Sequence, residues 1–352
     1  FVLGWLPTLV AVRTLSAVAM AIAAAALYVL VLRRAGVAPA VLSALLFSSL
    51  PSVTRFAQEA RPTALLVAFV VLSWLAWDSW LRPVSGGWQA SVPGAIRYLI
   101  ALAGTALVSL FGLFQWPAQV LADLVGGPRG SRIRRALQTV VVMIASLVLV
   151  GVLVIFAALQ GTGPGTPRRI GLDTLYANLV KAVVVDQFNP AMILLLVLAS
   201  PAVVVSVLTV GFFARYRGLA RVATVWAVVP LILGVVIAVL RPNMLQARYW
   251  VPVTAPLAIL SALGILVLVE GVAYLVTRMT TGPVLSASPD RSAAVVRAEA
   301  PTRLAWLAAA TLFSLIIGGY LVSTSPVQTQ IRQESGHGVC MSPMLAELDL
   351  IL

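Results

Sequence analysis

Val251-Pro-Val-Thr-Ala-Pro-Leu-Ala-Ile-Leu-Ser-Ala-Leu-Gly-Ile-Leu-Val-Leu-Val269 contains no ionisable group. As a helix rising 1.5 Å per residue it reaches about 28 Å, close to the ~30 Å hydrocarbon core of a bilayer. Helix is the open-ended choice, because backbone amides in lipid must find their partners within the segment. Comparable apolar runs lie at about 14–32, 38–52, 62–78, 137–159, 190–213, 222–240 and 304–323, and the quoted run extends to about 275. The 38–52 run is short for a crossing, which predicts tilt, local thinning or shielding by neighbours.

Composition agrees. Of 352 residues 61% are hydrophobic and only 10% are charged, and the mean hydropathy is +1.03. A soluble domain carries roughly 25% charged residues to face water. The net charge of +13 does not indicate nucleic acid, since the basic residues sit in short clusters between apolar runs rather than along one face. That is the pattern that encodes membrane orientation. Cys340 stands alone, which rules out an intrachain disulfide or a cysteine metal cluster, and His337 is the single histidine.

The stretch 98–126 is too long for one crossing and too short for two ordinary ones. Charge parity favours two. Arg33/Arg34, Arg82/Arg97 and Arg129/Arg132/Arg134/Arg135 share one side only if 98–126 doubles back near Phe111–Pro117. About ten crossings result, and the loops placed on the cytoplasmic side, 214–221 and 276–303 among them, hold the larger share of the basic residues. The expected class is an all-α, polytopic membrane bundle. Residues 1–13 end an outer loop, 14–275 form the bundle, 276–303 a cytoplasmic linker, 304–323 the last crossing and 324–352 an outer tail. Loop 161–189 opens on a glycine- and proline-rich run and carries a surface-helix candidate at Leu172–Val185.

Arginines on the outer side run against that charge bias and need a reason. Arg55-Phe-Ala-Gln-Glu-Ala-Arg61-Pro62 concentrates three charges and a glutamine at the mouth of two crossings. If 55–61 is helical, Arg55 and Glu59 share a face, as do Gln58 and Arg61. Guanidinium offers a permanent charge and a planar fork that matches phosphate oxygens, so this mouth suits a lipid-linked phosphate. A structural ion pair joining two helix ends is an equally fair reading of the same residues. Arg241-Pro242-Asn243 through Arg248-Tyr249-Trp250-Val251-Pro252 forms a second constellation, open to readings as a phosphate contact or an aromatic interface belt. Phe111, Phe114, Gln115 and Trp116 at the hairpin tip fit core packing better than a site lining.

These residues carry a resemblance. Arg55-Phe-Ala-Gln-Glu-Ala-Arg61 resembles the Arg-x-x-Gln-Glu-Ala-Arg-x-Tyr signature of GT-C membrane glycosyltransferases, in the protein O-mannosyltransferase-like branch that uses polyprenyl-phosphate sugars. Arg13-Thr-Leu-Ser-Ala resembles that family's Arg-Leu-Pro-Ser-Ala helix, and Arg248-Tyr249-Trp-Val-Pro252 its late Arg-Tyr-x-x-Pro element. The motifs stand in the family's order across 13–252. Departures are Thr63 in place of the usual Tyr and Ser109-Leu-Phe-Gly-Leu-Phe-Gln115 where the family has a Thr-His-Tyr element.

The resemblance implies inverting transfer of a hexose, mannose first, from a polyprenyl-phosphate donor to an acceptor at the outer face of a bacterial plasma membrane. Arg55, Arg61 and Arg248 would stabilise the departing phosphate, and Gln58, Glu59 and Tyr249 would complete the substrate-binding set. The family's catalytic aspartate would fall upstream of Phe1, so residues 1–352 alone are expected to be inactive. The acceptor is left open. So is a divalent metal, for which the sequence offers no convincing ligand set. The alternative reading is a transporter or lipid-carrier flippase, which accounts for the crossings but not for the ordered motifs.

Overall fold

The computed structural model describes residues 8–59, 62–81, 92–126, 131–159, 197–204, 214–240 and 247–281. The chain is an all-α membrane protein. Its helices are α1 (Thr8–Ala35), α2 (Val37–Ser49), α3 (Pro51–Gln58), α4 (Thr63–Leu81), α5 (Val92–Val108), α6 (Gln115–Gly126), α7 (Arg132–Leu159), α8 (Ala214–Leu240) and α9 (Thr254–Thr281), with 3-10 segments at Leu110–Phe114 and Ala247–Val253 and a helical stretch at 197–204. Among the described residues five helices are long and apolar enough to cross a membrane, or six if the bent pair α2–α3 counts as one span. The expected surface helix, the last crossing, the outer tail, Cys340 and His337 lie outside the described residues, as does most of the expected linker.

The polarity of the molecule is inverted relative to a soluble protein. Ile133, Leu137, Val141, Ile144 and Val148 form an outward stripe along α7, each more than half exposed. Ser43, Ser73, Thr105, Gln119, Asp123, Thr139 and Ser261 are buried. In water such a stripe would drive aggregation; in lipid it is the wetted surface. Helix contacts use small residues, Ala19, Ala23 and Ala26 on α1 and Ala255, Ala258 and Ala262 on α9, which let backbones approach where no hydrophobic force separates helix from lipid. Trp74 of α4 stacks on Trp226 of α8 at 4.6 Å, with Trp77 edge-on to Trp74 at 5.2 Å.

Breaks in the helices have local causes. α1 and α2 are joined by Gly36 alone, whose φ of 92° and ψ of -174° belong to a region that L side chains rarely enter. Pro51 ends α2. It has no N–H to continue the ladder, and it pushes Leu50 into extended conformation (φ -63°, ψ 130°), which gives a 60° bend into α3. The short 38–52 run is thus met by an elbow in the chain.

Residues 98–126 double back. Tyr98 near the start of α5 donates to Gln119 Oε1 on α6 at 2.7 Å, and Trp116 Nε1 donates to Thr105 Oγ1 at 3.3 Å. A straight helix would separate Tyr98 and Gln119 by roughly 30 Å. The turn is the 3-10 segment, whose Gly112 lies against α5. A Cβ there would meet the Thr105 carbonyl oxygen at 2.5 Å and its carbon at 2.8 Å. Backbone atoms cannot yield cheaply, so Gly112→Ala is expected to destabilise the protein by about 1–3 kcal/mol, read as a lower unfolding temperature in detergent with helix content retained.

Helices extend into three segments read as loops; α1 already begins at Thr8, within the expected 1–13 loop. Segment 214–221, read as a cytoplasmic loop, is the start of α8. Arginine is a good helix former, and its long side chain lets a helix continue past the apolar boundary. α9 likewise runs on to Thr281, into the expected linker.

Candidate functional site

The bundle has two polar ends with different chemistry. At the first, the C-terminal ends of α1, α4 and α6 meet the start of α7. Arg34 Nε bonds Asp78 Oδ1 at 2.7 Å, and its guanidinium lies 5.3 Å over the Trp77 ring. Trp77 Nε1 donates to Asp123 Oδ2 at 3.2 Å, Thr139 Oγ1 donates to the same oxygen at 2.7 Å, and Arg135 Nε bonds Asp123 Oδ1 at 3.2 Å. Arg33 Nη1 donates to Ser79 Oγ. Both oxygens of the fully buried Asp123 are engaged, and four helices are clasped. Sequence reasoning missed Asp78 and Asp123, although a lone carboxylate inside an apolar run is a signal in itself. Tyr98, stacked on Trp80 at 5.6 Å and bonded to Gln119, places the start of α5 at this side too, so both ends of the α5–α6 hairpin lie together, as charge parity required.

The second end lies roughly 27 Å away along α1, from Arg34 back to Ser16. Here α1 begins, α3 ends, α4 begins and the α5–α6 hairpin turns. α3 leaves the helix at Glu59 (φ -83°, ψ 138°), whose N–H still bonds the Arg55 carbonyl at 3.1 Å. Arg55 Nε bonds Glu59 Oε1 at 3.0 Å, so the expected pair forms. Ser16 Oγ donates to the Glu59 carbonyl at 2.8 Å. The other expected pair has no helical basis, because α3 ends at Gln58; Arg61 itself lies outside the described residues.

The segment Ala247–Val253 reaches this same end. α8 starts beside the end of α6, where a Cβ on Gly126 would lie 3.0 Å from Val222 Cγ2, and runs away from the Asp123 clasp. Further along α8, Gly234 accommodates the Trp250 ring. The backbone of Arg248 and Tyr249 therefore sits at the Glu59 end, packed against α4, α8 and α9. Their side chains lie outside the described residues, as do Arg241, Pro242 and Asn243. At the hairpin turn Gln115 and Trp116 are buried, and Phe111 and Phe114 are half-buried and edge-to-face at 5.1 Å.

Among the described residues, buried polar atoms without a hydrogen-bond partner include Trp74 Nε1, Trp226 Nε1 and Ser146 Oγ along the helices and a group at the Glu59 end. At the Glu59 end Ser52 Oγ, Gln58 Oε1, Gln115 Oε1 and Trp250 Nε1 are shielded from solvent and have no hydrogen-bond partner among the described residues. Buried polar atoms are nearly always bonded, so such a group of unmet atoms calls for water or a ligand. Among the described residues no three His, Cys, Asp or Glu side chains come together as a metal site.

Fold and site together define a polytopic helical membrane protein with a polar, arginine-bearing mouth. No family model matches the sequence, and none of the curated proteins matches it. Solved structures share the fold. ArnT from Cupriavidus metallidurans in the apo state matches with a TM-score of 0.53 at 17% identity, over 92% of this chain and 61% of that one. The same protein bound to undecaprenyl phosphate matches with a TM-score of 0.52 at 16% identity, over 92% of this chain and 62% of that one. The chain thus spans about three fifths of the length of the structures it resembles.

Proposed function

We propose that the chain belongs to a membrane glycosyltransferase of GT-C type that takes a sugar from a polyprenyl-phosphate carrier at the Glu59 end of the bundle. One observation carries this reading. At the end where Arg55 and Glu59 are paired and the backbone of Arg248 lies, Ser52, Gln58, Gln115 and Trp250 carry buried polar atoms with no hydrogen-bond partner among the described residues, as a site for a polar head would. The neighbour bound to undecaprenyl phosphate supports a lipid carrier of that chemistry. The ordered motifs at Arg13, Arg55–Arg61 and Arg248–Pro252 support the protein O-mannosyltransferase-like branch, and with it mannose as the sugar and the bacterial plasma membrane as the location.

In this mechanism an acceptor hydroxyl attacks the anomeric carbon as the bond to the carrier phosphate breaks. The acceptor's proton goes to a base and the electron pair stays on the phosphate. Arg55, Arg61 and Arg248 meet the charge that builds there, which electrostatic preorganisation makes the largest single contribution. The Glu59 carboxylate fixes the plane of the Arg55 guanidinium. Gln58 offers its amide oxygen to a sugar hydroxyl, and Tyr249 lies next to Arg248 in the chain.

The test is to incubate the full-length protein in lipid nanodiscs with radiolabelled undecaprenyl-phosphate mannose and, in parallel, other hexosyl donors. Release of undecaprenyl phosphate with sugar transferred or freed is the expected result. Movement of intact carrier across vesicles without cleavage would overturn it in favour of a flippase.

A further inference from the structure

Serines inside these helices mostly bond backward to their own helix. Ser43, Ser49, Ser73, Ser79, Ser200 and Ser261 each donate to a carbonyl three or four residues earlier, the ordinary way for a hydroxyl to be satisfied in an apolar medium. Ser16 does not follow them. It is 4% exposed, and its hydroxyl crosses to the Glu59 carbonyl, 43 residues away in sequence, at 2.8 Å.

Three bonds of Glu59 bear on the turn. Its N–H bonds the Arg55 carbonyl and its carboxylate bonds the Arg55 side chain, both within the α3 turn. The third bond, from Ser16, ties that turn to α1. The carbonyl concerned belongs to the C-cap residue, at which α3 ends. Arg13 stands three residues before Ser16 on α1, on the same helix face and nearer the mouth.

The geometry points to Ser16 as a positioning residue: its hydroxyl orients the Gln58–Glu59 turn, and through it the Arg55 guanidinium, paired with Glu59, that grips the anionic head of a polyprenyl-phosphate carrier. This rests on the function proposed above and adds to it a residue that touches no substrate. Removing the hydroxyl leaves the pair on α3 intact but loosens its aim relative to the bundle. Misplacing a binding group by about 1 Å is enough to cost on the order of a hundredfold in rate.

The test uses the full-length protein in nanodiscs, with undecaprenyl phosphate alone as the binding probe and undecaprenol as the control that lacks phosphate. Ser16→Ala is expected to weaken undecaprenyl phosphate binding by roughly tenfold, as for an orphaned buried carbonyl. Ser16→Thr keeps the hydroxyl and is expected to restore affinity to within about twofold, whereas Ser16→Val, of the same shape without it, is not. Equal behaviour of the Thr and Val variants would reduce Ser16 to packing and overturn the assignment. So would wild-type affinity in Ser16→Ala. If the wild-type protein binds undecaprenyl phosphate no better than undecaprenol, the proposed function itself fails and takes the assignment with it. The Thr–Val comparison holds even if Ser16→Ala does not fold.

Discussion

Asp123→Ala is expected to lower stability by about 3 kcal/mol, the largest structural effect of any single change considered. The substitution removes the acceptor for Trp77, Thr139 and Arg135 at once. It leaves the Arg135 guanidinium, whose side chain is only 18% exposed, without its counter-charge. Breaking a buried pair from one side costs about 3–5 kcal/mol. Because Arg135 retains some access to the headgroup region, the lower part of that range applies. A much lower unfolding temperature in detergent and reduced recovery from membranes would register the loss. Asp123→Asn keeps an acceptor oxygen and is expected to fall between. The double change Asp123→Leu with Arg135→Leu should recover part of the loss, since no charge is then stranded. Wild-type stability in Asp123→Ala would show that the clasp does not hold the hairpin in place.

Arg61→Ala is expected to abolish turnover, a fall of at least 10²–10³-fold if it removes one preorganised contact to the developing phosphate charge, with the unfolding temperature little changed. Arg61→Lys keeps the charge but not the planar fork and is expected to retain a small fraction of the rate. Initial rates with a labelled polyprenyl-phosphate donor, read beside a melting curve, decide it. Full turnover in Arg61→Ala would remove the phosphate role from this motif.

Much of the fold was legible because a hydrocarbon-length apolar run has few alternatives. The expected runs that fall on described residues are helical, and the doubling of 98–126 was available from the sides on which Arg33, Arg97 and Arg132 had to lie. What escaped reading was local or tertiary. The start of α8 was hidden because arginines at 214–221 look like a loop to a hydropathy average. The elbow at Pro51 interrupts a run that composition alone reads as continuous. Asp78 and Asp123 vanish in windows dominated by leucine, valine and tryptophan. At the candidate site the Arg55–Glu59 pair followed from a spacing of four, whereas α3 ends at Gln58 and Arg61 lies outside the described residues. Ser16 stood within the Arg13-Thr-Leu-Ser-Ala resemblance with no role attached, since its partner is chosen by how α1 lies against α3 and not by any neighbour in sequence.

The one-residue link at Gly36 has a consequence for biogenesis. With no loop between them, α1 and α2 are expected to enter the bilayer together as a pair. The contact between Ser16 and Glu59 can then form before α4 is complete, because both residues precede it in the chain.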